Sequence, residues 1–231
     1  MIDWYPPQAS LADGLGSDPA QVETDRRAER FIRAVAKRHP DIAEHARRTA
    51  NVAVAIAGEL DWSADDRLLL HQATLLHDVG MLHVVENIRA KKGALTVPEH
   101  EQVMEHAAMS AAMVSDVLTE QQTQWIRGHH ERPDGAGYPR RVSEASIPQA
   151  SLIMGLADAW VAMNSGRPYR PPLSGDRALA ECWRNAGRQF SVECVEALIA
   201  LWRRTGDEQL VEAREGVFGS APLAEPVRLS A

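Results

Sequence analysis

The sequence predicts an all-α protein, a single helical bundle of about seven to eight helices. Three observations predict it. Apolar residues recur at helical spacing along most of the chain, and no stretch alternates with the period of two that a half-buried strand needs. The apolar content of 45% rests on Ala, Leu and Val, with only three Phe and three Tyr. Helix-start signals punctuate the chain at Asp18-Pro19, at Ser63 with Asp66, at Thr96-Val97-Pro98-Glu99 and at Ser174.

Residues 1–17 carry Pro, Gly and Ser and predict a loose tail. Asp18-Pro19-Ala20-Gln21 starts a helix: an Asp cap, Pro at the first helical position and Gln three after the cap. It runs to about Arg38, where His39-Pro40 ends it; its charge predicts a surface helix or one packed on a partner. A second helix runs from near Asp41 to near Leu60, with His45, Thr49, Val52, Ile56 and Leu60 on one stripe, so His45 faces inward. Ser63 and Asp66 open a third helix that runs to Gly80. Its LLLHQATLLHDVG is apolar nearly all round, the mark of a buried helix, and His77-Asp78 lies at its end. Residues 82–95 form a connector.

The Thr96 capping box opens a fourth helix, on which Val103, His106, Ser110, Met113 and Val117 share a stripe. His106 therefore also faces inward. A short helix from about Glu120 leads to His129-His130 and the loop HHERPDGAGYP. A sixth helix runs from about Pro148 to Met163, with Asp158 the only charge in ASLIMGLADAWVAM. Ser174 caps another to about Ala186, and a last one runs from about Ser191 to Arg203. The chain thus divides into a tail and helix (1–40), one domain (41–205) and a C-terminal tail of weak periodicity (206–231).

The formal net charge of −7 argues against large nucleic acids and anionic membranes as partners. A small anionic ligand remains compatible, because local Arg and Lys can make a pocket positive. Cys182 and Cys194 read as reduced core residues of a cytoplasmic protein. MIDWYPPQAS has neither the basic start nor the apolar run of a signal peptide. The most apolar run, Ala150 to Met163, is too short to span a membrane and contains Asp158.

The chemistry lies in the polar residues at inward or helix-end positions. Adjacent histidines on a helix point about 100° apart, so His129 and His130 reach one centre only at a helix end or bend, which the Gly/Pro-rich loop supplies. An ionised Asp78 in an apolar helix costs several kcal/mol without compensation. Together His45, His77, Asp78, His106, His129, His130 and Asp158 are five imidazoles and two carboxylates from five segments. They match the needs of two divalent ions. The absence of cysteine from the set argues against a structural zinc site.

His77-Asp78 followed by Gly80, then HHERPDGAGYP, then ADAWVAMNSGRPYR, resembles the HD-GYP branch of the HD-domain metal-dependent phosphohydrolases over roughly Asp41 to Arg203. The resemblance implies an HD-domain helical bundle with a buried two- or three-metal centre, iron or manganese being common, that hydrolyses a cyclic dinucleotide, chiefly cyclic di-GMP, to pGpG or GMP. It implies that Asp78 bridges two metals and positions the attacking hydroxide. His45, His77 and Asp158 would complete one metal site, and His106, His129 and His130 the other. Asp41 falls where some members place a Glu for a third metal; it is either that ligand or a helix cap.

Gly137, Tyr138 and Pro139 match the GYP triplet, and Arg167 to Arg170 match RPYR. Gly137, Tyr138, Arg167 and Lys92 are the candidates for substrate contact. Arg167 either holds a phosphate by two hydrogen bonds or braces the GYP loop. Lys91, Arg132, Arg140 and Arg141, like Lys92, are further candidates for phosphate contact, with solvated charge the safer reading, and His39, His71, His83 and His100 read as surface or structural. The family's lysine after His-Asp-x-Gly is Met81 here, so the charge that meets the substrate phosphate is missing. A weak or non-catalytic cyclic-dinucleotide receptor is therefore a second reading, and a di-iron oxygenase a third. A homodimer or a signalling partner protein is compatible with each.

Overall fold

The computed structural model describes residues 19–165 and 171–205. Its helices are α1 (Pro19–Ala36), α2 (Pro40–Glu59), α3 (Ala64–Leu75), α4 (Glu86–Arg89), α5 (Val97–Met104), α6 (His106–Met113), α7 (Glu120–Arg127), α8 (Gln149–Asn164), α9 (Gly175–Arg184) and α10 (Val192–Thr205). Two 3-10 segments, Val79–His83 and Glu144–Ser146, join them. Among the described residues there is no strand, only an isolated bridge between Ala186 and Phe190. No described helix is long and apolar enough to cross a membrane.

α2 is the central element, flanked by α3 and α8, with α1 and α10 also against it. It can take neighbours on several sides because its buried positions are largely alanine: Ala43, Ala46, Ala50, Ala53 and Ala57, filled in by Val52 and Ile56. Small side chains let helix axes approach closely. α8 is apolar nearly all round and buries Ile153, Met154, Leu156, Ala157, Trp160 and Val161. α1 is charged on its outer side, where Arg30 pairs with Glu23, and buries Ala28, Ile32 and Val35 against α2 and α3. Its expected Asp18 cap lies outside the described residues. Cys182 and Cys194 are free thiols in the core, and burial pushes both up to about 12.

Several boundaries differ from those expected. Helix α3 stops at Leu75, not Gly80. The Leu76 N–H turns back to the carbonyls of Ala73 and Thr74, and the chain tightens into the 3-10 segment. The cause is tertiary. Gly80 is pressed onto α6, where a Cβ would lie 2.2 Å from the His106 carbonyl oxygen, and its N–H donates to Ser110 Oγ at 2.8 Å. The connector contains a single helical turn, α4. The fourth expected helix divides at Glu105 into α5 and α6, beside the carbonyl of Val103, which His106 Nδ1 contacts at 2.6 Å. The N-cap of α2 is His39, and Asp41 lies in the first turn, not at the cap. Pro40 at the first helical position shifts the start one residue earlier.

Candidate metal centre

The seven polar residues are carried to one region from five segments of the chain. His45 on α2 meets Asp158 on the adjoining α8, with Nε2 2.7 Å from Oδ1. The turn after α3 delivers His77 and Asp78 together. On a continuous helix these neighbours would diverge by about 100°; the unwound turn lets both serve one centre. His77 Nε2 lies 3.7 Å from Asp78 Oδ1 and 3.9 Å from Asp158 Oδ1. From the other side, His106 Nε2 lies 3.2 Å and His129 Nε2 3.9 Å from the same Asp78 oxygen. His130 Nε2 is 3.1 Å from His106 Nε2. The structure therefore brings all seven together as two groups, His45-His77-Asp78-Asp158 and His106-His129-His130. Within each group the ligand atoms lie within 4.8 Å of one another, close enough that small side-chain shifts would let one metal ion engage them.

The ring orientations fit metal ligation. His77, His106 and His129 each place Nδ1 on the carbonyl three residues earlier: Thr74 at 2.7 Å, Val103 at 2.6 Å and Ile126 at 2.5 Å. A carbonyl only accepts, so Nδ1 carries the hydrogen and Nε2 offers its lone pair. His106 Nε2 and His129 Nε2 then face each other at 3.4 Å. Two lone pairs at that distance repel unless a proton or a metal cation lies between them. Ligands about 2.0–2.1 Å from one ion sit roughly 3.0–3.4 Å apart, which matches both histidine pairs. His77 Nε2 is buried without a hydrogen-bond partner, as suits an atom whose lone pair would bind a metal. The all-imidazole and carboxylate donor set suits divalent transition metals.

Electrostatics show how the residues balance one another without an ion. Burial opposes charge on His77, but Asp78 and Asp158 override it and raise its pKa to about 9. His106 is raised against burial by its hydrogen bond to Asp78. Burial likewise opposes charge on the two carboxylates, yet His77 and His106 hold Asp78, and His45 and His77 hold Asp158, well below the usual carboxylate range. His129 is pushed well down by burial and by three neighbouring imidazoles, and His130 to about 4, mainly by burial. Divalent cations would supply the positive charge that the two carboxylates favour on His77 and His106. The cluster stays open on one side: the side chains of Asp78, Asp158 and His45 are 20%, 21% and 23% exposed.

The remaining candidates divide. Tyr138 stacks on His130 with ring centroids 4.7 Å apart; burial and the two carboxylates raise its pKa, keeping it a neutral phenol. Gly137 sits where a Cβ would lie 2.4 Å from the Arg132 nitrogen and 2.5 Å from the His130 oxygen, so only glycine lets the loop close on itself. Asp41 is exposed on the first turn of α2 and belongs to neither ligand group. Lys92 is exposed, and Lys91 is paired with Glu99. Arg167 and the RPYR segment lie outside the described residues. Met81 is half-buried against the core. Glu131 was given no role by sequence reasoning, yet it is buried and accepts from the N–H groups of Arg140 at 2.6 Å and Val142 at 3.3 Å. Its signal was a carboxylate following the paired histidines at the mouth of a Gly/Pro loop. A cavity of about 440 Å³ adjoins the centre, lined by His129, His130, Tyr138, Arg132, Arg141 and His100 among others.

Residues 29–193 match the HD domain family. The chain is 30% identical over 221 residues to the cyclic di-GMP phosphodiesterase response regulator RpfG of Xanthomonas campestris pv. campestris, covering 90% of this chain and 57% of that protein. It is 36% identical over 169 residues to the 3'3'-cGAMP-specific phosphodiesterase 3 of Vibrio cholerae, covering 73% of this chain and 37% of that protein. The chain thus spans about half the length of these curated relatives, or less. Among solved structures, Bd1817, an HDG"Y"P protein from Bdellovibrio bacteriovorus, shares the fold with a TM-score of 0.61 at 15% identity, covering 84% of this chain and 68% of that one. With the His77-Asp78 pair and the paired histidines converging on one centre, the chain belongs to the HD-domain family.

Proposed function

We propose that this protein is a metal-dependent phosphodiesterase that hydrolyses a cyclic dinucleotide, cyclic di-GMP first among them, to pGpG or GMP. The observation that carries the reading is the shared position of Asp78 Oδ1 between the two ligand groups. In the proposal His45, His77 and Asp158 hold one ion and His106, His129 and His130 the other, with Asp78 reaching both. Iron or manganese suits this donor set. When bound, two such ions would supply a nucleophile at neutral pH and neutralise charge on a phosphodiester. The chain's own residues do the rest. The carbonyls of Thr74, Val103 and Ile126 fix three imidazoles in the ligating tautomer. Tyr138 covers one face of His130. The open side at Asp78 and Asp158 admits the substrate. Asp41, exposed at a helix start, is proposed as a partner of the helix dipole rather than a third-metal ligand. The names of the relatives support the substrate class, and the buried, protonated thiols suit a cytoplasmic setting.

Anaerobic reconstitution with iron or manganese, followed by chromatography of cyclic di-GMP incubated with the protein, tests the proposal. Formation of pGpG or GMP that a chelator abolishes is the expected result. Binding without any product would instead support the receptor reading, which Met81 favours because it places no charge on the 3-10 segment that follows Asp78.

A further inference from the structure

We propose that Arg141 is a phosphate-binding residue of the substrate site, supplying the cationic contact that Met81 does not. The inference rests on the phosphodiesterase reading above and adds a residue to it. Arg141 has φ 55, in the left-handed region that non-glycine residues rarely occupy. Its neighbours explain the conformation. The N–H groups of Arg140 and Val142, on either side of it, both donate to the buried Glu131 carboxylate. That carboxylate grips the chain before and after Arg141 and turns the residue between through the left-handed region.

A glycine would take this conformation freely. The position instead carries a long cationic side chain on a backbone held under strain by its surroundings, an arrangement that concentrates at ligand-binding sites. Arg141 makes no side-chain hydrogen bond or ion pair among the described residues. It lines the cavity of about 440 Å³ that His129, His130 and Tyr138 also line, a volume in the range of small-molecule sites. Arg132, another cation on the same cavity, is already engaged: its Nε and Nη2 donate to Asp134 at 3.0 and 2.6 Å. Arg141 is therefore the arginine there with its fork unoccupied, and a planar fork matches two phosphate oxygens. A phosphodiester anion beside the metal-ligating histidines is the ligand chemistry this placement recognises.

The experiment compares the metal-loaded wild type with Arg141→Gly and Arg141→Lys on cyclic di-GMP. Glycine removes the cation while relieving the backbone, so the thermal midpoint should hold or rise. Because the phosphate charge is present before and during reaction, the contact is made to ground and transition states alike, and its loss appears in KM. We expect KM to rise about tenfold or more in Arg141→Gly, in keeping with a lost charge-assisted hydrogen bond, with kcat within about threefold of wild type. Arg141→Lys should recover part of the loss. If the wild type shows no turnover, the dissociation constant for cyclic di-GMP reads the same contact. A KM or dissociation constant in Arg141→Gly within twofold of wild type overturns this inference and leaves the phosphodiesterase reading standing. A wild type that neither turns over nor binds cyclic di-GMP overturns both.

Discussion

Asp78 Oδ1 stands 3.2 Å from His106 Nε2 and so joins the ligand group of α6 and the GYP loop to the group built by α2, α3 and α8. One oxygen serves both because the turn after Leu75 points Asp78 out of the helix it follows.

Replacing Asp78 with alanine should therefore empty both sites in part. Metal content after reconstitution, measured by mass spectrometry of the dialysed protein, should fall below half of wild type. The metal-free protein should be little destabilised, because His77, raised to about 9 by the two carboxylates, can release its proton once Asp78 is gone. Unchanged metal content would refute the bridging position.

Gly80→Ala tests the contact that sets the turn. The added Cβ would meet a backbone carbonyl at 2.2 Å and the Ser110 nitrogen at 2.7 Å, and backbone cannot step aside as a flexible side chain can. Overpacking of this kind costs about 1–3 kcal/mol or more. A lower denaturation midpoint in urea, with reduced metal content, is expected.

The start of α5 should depend on pH through Glu99. Its carboxyl is lowered from 4.5 to about 2, first by the ion pair with Lys91 and then by the Thr96 N–H. A depressed folded-state pKa means the stabilisation is present above 4.5 and is lost as pH falls through 4.5 toward 2. Glu99→Gln should thus lower the thermal midpoint at pH 7, with the difference from wild type shrinking progressively below pH 4.5. A difference that does not vary with pH would assign Glu99 a role in packing alone.

Met81→Lys tests whether the 3-10 segment after Asp78 can add a cation for the substrate phosphate. The residue is half-buried against the core, three positions after Asp78. A restored charge-assisted bond to the substrate phosphate is worth roughly 1.5–3 kcal/mol, or about one to two powers of ten in cyclic di-GMP turnover or affinity. No gain, or a loss of stability from burying an ammonium, would show that Met81 fills an apolar gap and that the phosphate is met elsewhere.

The helical class was legible because α2, α3 and α8 write their burial into spacing and composition. His45 and His106 were legible for the same reason: His45 shares a stripe with the buried Thr49, Val52 and Ile56, and His106 with the buried Ser110 and the half-buried Val103, Met113 and Val117. Asp158 announced itself as a lone charge in an apolar helix. The end of α3 was not legible, because the chain unwinds there in response to α6, thirty residues away, meeting Gly80. Asp41 is exposed on the first turn of α2, behind the His39 cap, and belongs to neither ligand group. Glu131 escaped, and Arg141 was not singled out from the other basic candidates, because their part depends on a carboxylate reaching backbone nitrogens nine and eleven residues ahead, which no local pattern encodes.

The most direct measurement is metal stoichiometry and cyclic di-GMP hydrolysis on one anaerobically reconstituted sample. The account predicts about two divalent ions per chain and formation of pGpG or GMP that stops when a chelator strips them. One ion or none per chain after full reconstitution, or hydrolysis that survives complete removal of metal, would contradict it.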